Sequence, residues 1–201
     1  MAPVPALVAV LLAAQTAATA PRPPLDFRHG ASAADAESLA RKLEALERRA
    51  PNGNPADPVI VTERELNSYL NLATPPRLPP GLSDVEFRLE KDRVEARGLV
   101  DLDRVKGRSG SAGWNPLALL GGRVELQLKG RIPTADGRGT IEVEEVRLGS
   151  LSLPVSVLEQ IVAAATKTDE EPGGFDLRAP FPLPYSVKRL RLQPGRLLLE
   201  F

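Results

Sequence analysis

From Ser83 onward, several segments alternate apolar and charged residues with a period of two, and this pattern constrains the fold more than any other feature of the chain. Such alternation is typical of strands that turn one face to a core and the other to water. Turn-forming residues at 91–92, 134–137 and 194–195 divide the alternating segments into pairs. The pattern therefore predicts three antiparallel hairpins that form one meandering sheet with an apolar face.

The second hairpin departs from strict alternation at one point. Its apolar phase slips at Glu144-Glu145 and resumes at Val146, which predicts a bulge or bend in a long strand. Glu142 and Glu144 share the charged face of that strand. We interpret them as solvated surface, and a paired-carboxylate site is the alternative.

Three segments carry apolar residues at helical spacing. The first runs from Ser32 to Ala50, and its narrow apolar stripe predicts a helix that packs on the outside of the domain. The second covers residues 63–72 and begins with the capping box of Thr62 and Glu65. The third covers residues 154–166. We expect an α+β fold in which a long curved antiparallel sheet of about six strands wraps the second and third helices, with the first as an extra N-terminal helix.

The N-terminal segment has the features of an export signal. It has no charged side chain, and its apolar run from Val4 to Ala14 is too short to cross a bilayer but suits the core of a signal peptide. Cleavage after Ala18 or Ala20 predicts a periplasmic or secreted protein, and an uncleaved apolar anchor or a misassigned start is the alternative. The chain then divides into a signal peptide (1–20), a leader with a flanking helix (21–58) and a single α+β domain (59–201).

Composition excludes several classes of function. The 201 residues include no cysteine and one histidine, which rules out disulfide scaffolds, thiol chemistry and cysteine zinc sites. The 26 basic and 26 acidic side chains balance, which argues against nucleic-acid binding by bulk electrostatics. His29 lies in the leader, and Ser109 and Ser111 lack a nucleophile elbow. We expect no catalytic residue, no metal and no cofactor.

Two features favour contact with a membrane surface. Residues 107–122 carry the only tryptophan of the chain and three leucines between glycine-rich stretches, and the last hairpin carries a local excess of basic residues. Tryptophan and leucine favour an interface, and cations attract anionic headgroups. The candidate contact residues are Trp114, Leu117, Leu119, Leu120, Lys188, Arg189 and Arg191. The alternatives are a plug over the open end of the sheet and a basic edge that keeps the protein soluble.

The stretch from Thr62 to Leu70, TERELNSYL, resembles the opening of small exported bacterial proteins of the YpmS-like and LmeA-like kind. Long alternating strands follow in both, then a helix after a Leu-Pro step (here Leu153-Pro154), and then a final hairpin. The resemblance covers about residues 59–201. It implies a tubular lipid-binding domain, in which a curved sheet wraps helices and encloses an apolar groove, and it supplies no catalytic residue.

Two hypotheses on function follow. In the first, the protein binds a lipid or another apolar ligand in a groove between the curved sheet and the helices, and serves lipid transfer or envelope maintenance. In the second, it is a non-catalytic structural or adaptor protein of the envelope, and its own helices fill the sheet. The predicted groove is lined by Leu66, Tyr69, Leu70, Phe87, Leu89, Leu126, Leu128, Ile141, Val143, Leu158, Ile161 and Val162.

Overall fold

The computed structural model of the protein describes residues 30–49, 57–72, 81–103, 122–165 and 172–201. These residues form an α+β fold with three helices and mostly antiparallel sheets, which confirms the predicted fold class. The helices are α1 (Ala33–Arg49), α2 (Glu63–Leu72) and α3 (Val155–Ala165). The strands are β1 (Val59–Thr62), β2 (Leu82–Glu90), β3 (Arg93–Asp101), β4 (Arg123–Arg131), β5 (Thr134–Ala135), β6 (Arg138–Gly139), β7 (Glu142–Leu148), β8 (Leu151–Leu153), β9 (Phe181–Pro182), β10 (Arg189–Gln193) and β11 (Arg196–Glu200).

The strands are divided among three sheets rather than joined in one meander. The large sheet has five strands in the order β2-β3-β4-β7-β8. The hairpin sheet has the order β1-β11-β10, and the small sheet has the order β5-β6-β9. The last hairpin therefore pairs with β1 and does not extend the large sheet. Alternation fixes the face that a residue occupies, but it does not specify which strand lies alongside.

The predicted irregularity in the second hairpin is a bulge. The ladder between β4 and β7 shifts by one residue after the pair Lys129–Glu145, which makes Glu144 the inserted residue. The Glu144 carboxylate lies 2.9 Å from Nε of Arg131. The phase slip in the sequence thus marks the position where the strand bends.

One main core joins the helices to the large sheet and the hairpin sheet. Helix α1 contributes Leu39, Leu43 and Leu46 to this core, each less than a tenth exposed. Its narrow apolar stripe is the face that packs on the core, and Leu39 and Leu43 lie beside the leucines of the hairpin sheet. No helix in the described ranges is both long and apolar enough to cross a membrane.

Helix α2 lies along the outer edge of β2 and closes that edge with side-chain amides. Asn67 donates to the carbonyl oxygen of Phe87 at 2.9 Å and accepts from its N–H at 2.7 Å. Asn71 makes the same pair of bonds with Val85, at 2.6 and 3.0 Å. The helix thereby satisfies backbone groups that an edge strand otherwise exposes.

The start of α2 has the predicted capping box. The N–H of Glu65 donates to Oγ1 of Thr62 at 3.2 Å, and the N–H of Thr62 donates to Oε2 of Glu65 at 2.9 Å. Glu63 accepts a bond from the N–H of Leu89 at 2.6 Å, one step further along the edge of β2. The polar residues of this helix therefore cap its N-terminus and bond it to the edge of the large sheet.

Candidate functional site

An apolar cavity of about 30 Å³ lies between helix α1, helix α2 and the inner face of the hairpin sheet. Its lining is almost wholly aliphatic, and cavities of this kind stay dry and accept apolar groups. The lining residues are Leu39, Leu43, Val61, Leu66, Ile132, Pro184, Tyr185, Val187, Leu190, Leu192, Leu197 and Leu199.

The hairpin sheet forms the floor of the cavity. Leu190 on β10 lies opposite Leu199 on β11, and Leu192 lies opposite Leu197. Leu197 in turn lies opposite Val61 on β1. Because side chains at every second position share a face, these five residues form one continuous apolar surface across three strands.

Helix α1 forms the roof. Leu39 and Leu43 are four residues apart and therefore lie on one face of the helix, above the floor. All but three of the lining residues are buried, and the exceptions are Pro184, Tyr185 and Leu190, which are half-buried. These three mark the side where the cavity approaches solvent, and we term them the mouth.

The backbone is strained at the mouth residue Tyr185 and at its neighbour Ser186. Tyr185 and Ser186 have φ values of 58° and 60°, in the left-handed region that a bulky side chain such as tyrosine rarely adopts. Each such residue costs on the order of 1–3 kcal/mol and persists only where the surroundings impose it. Here the N–H of Leu183 donates to the carbonyl of Gly137 at 2.8 Å, and the N–H of Val187 donates to that of Pro184 at 3.2 Å. Strain of this kind is found at ligand clamps.

A buried carboxylate attaches α1 to α2 beside the cavity. Glu65 is 6% exposed, and its oxygens accept bonds from Oγ of Ser38 at 2.6 Å and from Nζ of Lys42 at 2.8 Å. Burial alone raises the pKa of this carboxyl, but the bonds from Lys42, Ser38 and Thr62 outweigh it and lower the pKa to about 2. Glu65 is therefore charged at neutral pH and anchors α1 electrostatically.

Further polar contacts hold the same side of α1. The ammonium of Lys42 also donates to a backbone carbonyl of β1, and residues near the start of the helix bond to α2. These contacts are Lys42 Nζ to Ile60 O (2.6 Å), Ser32 N to Ser68 Oγ (3.0 Å) and Arg64 Nη2 to Asp35 Oδ2 (2.9 Å). All of them run to residues 60–68, on the side of the helix that faces β1 and α2.

The predicted groove residues gather in the main core, and Leu66 alone among them also lines the cavity. The inner face of the large sheet lies in this core, with Phe87 at 1% exposure. Also buried are Tyr69, Leu70, Leu89, Leu128, Ile141 and Leu158. Leu126, Val143 and Val162 are half-buried against the same core, and the side chain of Ile161 lies outside the described part of the chain.

The predicted membrane contact is described in part. Lys188, Arg189 and Arg191 are exposed. Nη2 of Arg191 lies 2.8 Å and Nη1 of Arg189 lies 4.0 Å from the Glu200 carboxylate, which offsets part of their charge. The two arginines flank Leu190 and therefore lie on the face of β10 opposite the cavity. The other predicted residues (Trp114, Leu117, Leu119 and Leu120) and the expected signal peptide at 1–20 lie outside the described residues.

Most of the cavity residues were not among the predicted groove residues. The sequence does place Leu190, Leu192, Leu197 and Leu199 on the apolar face of the last hairpin, but that hairpin was predicted to join the large sheet. The sequence signal that could have located the cavity is the short apolar run at β1. This strand belongs to no predicted hairpin, so it has to pair with a strand elsewhere in the chain.

The described residues hold no group of three or more histidine, aspartate or glutamate side chains that could bind a metal ion. Comparison with protein-family models, with curated proteins and with solved structures finds no match to this chain. The resemblance to YpmS-like and LmeA-like proteins therefore stays a prediction. The cavity, its mouth and the anchored roof are the features that bear on function.

Proposed function

We propose that this protein binds the hydrocarbon chain of a lipid, or an apolar ligand of similar width, in the cavity between α1 and the hairpin sheet. The observation that supports the proposal is an aliphatic cavity enclosed mostly by buried side chains. Side chains that face a void lack dispersion contacts on that side, and a hydrocarbon ligand supplies them. In this proposal the ligand lies on the hairpin sheet and not in the predicted groove of the large sheet.

The proposal includes a role in the cell envelope. Export is expected from the apolar run at 4–14 and its small cleavage residues. A protein outside the cytoplasm that shields a hydrocarbon chain from water is suited to lipid transfer or envelope maintenance. No step of this function needs a catalytic group.

The size of the cavity sets a condition on binding. A volume of about 30 Å³ holds roughly two water-sized groups, so a longer chain has to part the walls. Burial of each methylene contributes about 0.8 kcal/mol, which offsets the cost of separating leucine side chains. Affinity should therefore grow with chain length until the floor is covered.

A displacement assay tests the proposal. The purified protein is loaded with 11-(dansylamino)undecanoic acid and titrated with saturated fatty acids from butanoic to tetradecanoic acid. We expect affinity to rise about fourfold per methylene, the equivalent of about 0.8 kcal/mol, up to the chain length that covers the floor, and to level off in longer acids. Absence of binding across the series would contradict the proposal.

Neighbouring leucines on β11 provide a matched pair of variants. Leu199 lines the cavity, whereas Leu198 is half-buried on the opposite face of the same strand. Leu199→Phe should fill the cavity and weaken binding about tenfold or more, a change of about 1.4 kcal/mol. Leu198→Phe should leave binding unchanged, and circular dichroism of both variants controls for folding.

A second candidate function is that of a structural or adaptor protein. The observation that favours it is the inner face of the large sheet, which the helices of the protein itself fill. In that case the wild-type protein would neither retain lipid through purification, as judged by solvent extraction and mass spectrometry, nor bind fatty acids of any length.

A further inference from the structure

We infer that α1 is a hinged wall of the cavity, which pivots on its β1 side and opens on its β10 side to admit a single-chain amphiphile. The inference rests on the proposed function, since it concerns the same cavity. It follows from where the polar contacts of α1 lie, where the mouth lies and how the floor is shaped.

The hinge side is defined by polar contacts. In the described part of the chain, the hydrogen bonds and ion pairs that leave residues 32–48 all run to residues 60–68. The strongest is the anchor of Lys42 and Ser38 on the buried Glu65 carboxylate, because charge-assisted bonds in a poorly solvated site resist separation. Lys42 also reaches Ile60 on β1, so the anchor joins α1 to one edge of the hairpin sheet.

The opening side lies across the sheet from the hinge. The strand order β1-β11-β10 places β1 at one edge and β10 at the other. The mouth residue Leu190 is on β10, and the other two, Pro184 and Tyr185, lie five and four residues before that strand begins. On its cavity side α1 presents the aliphatic side chains Leu39 and Leu43. The dispersion contacts of these side chains are weak one by one, so the aliphatic side of α1 separates more easily than its charged anchor.

The floor determines which ligand fits. It extends from Leu190 on β10 across β11 to Val61 on β1, a width of about 10 Å at the usual spacing between strands. The cavity is a single layer between one helix and one sheet. A linear hydrocarbon chain that parts these walls lies across the floor with its end near Val61, and its polar head then remains in water at the mouth. The ligand class is therefore a single-chain amphiphile such as a fatty acid or a lysolipid.

Paired spin labels test the hinge directly, because the chain has no native cysteine. The variant Glu44→Cys with Lys188→Cys places labels on α1 and just before β10, across the mouth. The variant Glu44→Cys with Ile60→Cys keeps the first label and places the second on β1, across the hinge, and it retains the backbone carbonyl that accepts from Lys42. The replaced residues at 44 and 60 are 61% and 41% exposed, and Lys188 is exposed, so labelling leaves the core intact.

Distances are measured by double electron–electron resonance with and without dodecanoic acid. We expect the mouth distance to grow by roughly 2–4 Å, up to the thickness of one layer of carbon atoms, and the hinge distance to change much less. The fatty-acid displacement assay is run on the same labelled samples. An unchanged mouth distance in a sample that binds the fatty acid would overturn the hinge and leave the proposed function standing. Equal growth of both distances would also overturn it, and absence of binding would overturn the proposed function itself.

Discussion

The large sheet and the hairpin sheet are built from the same alternation of apolar and charged residues, yet their inner faces differ in side-chain composition. On the large sheet, Phe87 and Val146 are 1% exposed, and aromatic, branched and small side chains share the face with leucine. On the hairpin sheet, the floor is mostly leucine under a leucine roof, and a cavity remains. Leucine packed against leucine interdigitates poorly compared with mixed aromatic, branched and small side chains. The apolar pattern directs one face of each sheet to the core. The sizes and shapes of the side chains on that face decide whether a cavity remains.

The largest expected contrast is between two leucines truncated to alanine. Leu128 is 2% exposed in the large sheet, whereas Leu199 is 4% exposed beside the cavity. Leu128→Ala should lower the free energy of unfolding by about 4 kcal/mol and Leu199→Ala by about 2 kcal/mol, since Leu199 already lacks neighbours on one side. Urea denaturation at neutral pH measures both values. Equal losses would mean that the two faces are equally well packed.

The anchor of α1 should make the stability of the protein depend on pH. The pKa of Glu65 is about 2 in the folded protein against an ordinary value of 4.5, so its contribution is fully present above about pH 5 and is lost as the pH falls toward 2. The loss should amount to about 3 kcal/mol. Urea denaturation from pH 6 down to pH 2 measures it.

The matched control for this pH dependence is Glu65→Gln, which cannot ionise. Its free energy of unfolding should therefore lack the loss predicted for the wild-type protein between pH 6 and pH 2. Glu37→Gln alters an exposed pair with Arg41 on the same helix and should leave the curve unchanged. A wild-type curve that parallels that of Glu65→Gln would contradict the role of Glu65 as an anchor.

Side chains that close strand edges should contribute unequally in the two regions. Asn67 bonds to both backbone groups of Phe87 on the large sheet, and Thr134 bonds to both of Leu190 on the hairpin sheet, at 3.2 and 2.9 Å. Asn67→Asp removes the donor to a buried carbonyl and should cost about 2 kcal/mol. Thr134→Val should cost about 1 kcal/mol, because Leu190 is half-buried and water can replace the hydroxyl. Thermal unfolding of both variants measures the two losses. A larger loss for Thr134→Val than for Asn67→Asp would contradict this prediction.

The smallest expected effect is the change in stability when one methylene is added, and it should have opposite signs in the two regions. Val61→Ile adds one methylene at the cavity and should stabilise the fold by about 0.8 kcal/mol. Val146→Ile adds the same methylene to the packed face and should destabilise it by about 1 kcal/mol. Chemical denaturation of both variants compares the signs. A destabilising Val61→Ile would mean that the cavity does not accept even one further carbon atom.

The sequence predicts the features that depend on near neighbours. The capping box of Thr62 and Glu65, the bulge at Glu144, the hairpin turns and the positions of the three helices all follow from residues a few positions apart. The pairing of β1 with β11 joins residues that are far apart in the chain, and local periodicity carries no information about it. The cavity was missed for that reason: its floor includes Val61 on β1, which the long-range pairing with β11 places beside the last hairpin.

Helix α2 and strand β2 make three regularly spaced contacts because four residues of helix and two residues of strand advance by nearly the same distance. Four residues of helix advance about 6.0 Å along its axis, and two residues of strand advance about 6.6 Å. The successive contacts are Glu63 to Leu89, Asn67 to Phe87 and Asn71 to Val85. The mismatch grows by only about 0.6 Å per step, which flexible side chains absorb over three contacts but not over many more. A helix of less than three turns can therefore stand in for a strand, and inserting a single residue between Glu63 and Asn71 would put its amides out of phase with the sheet.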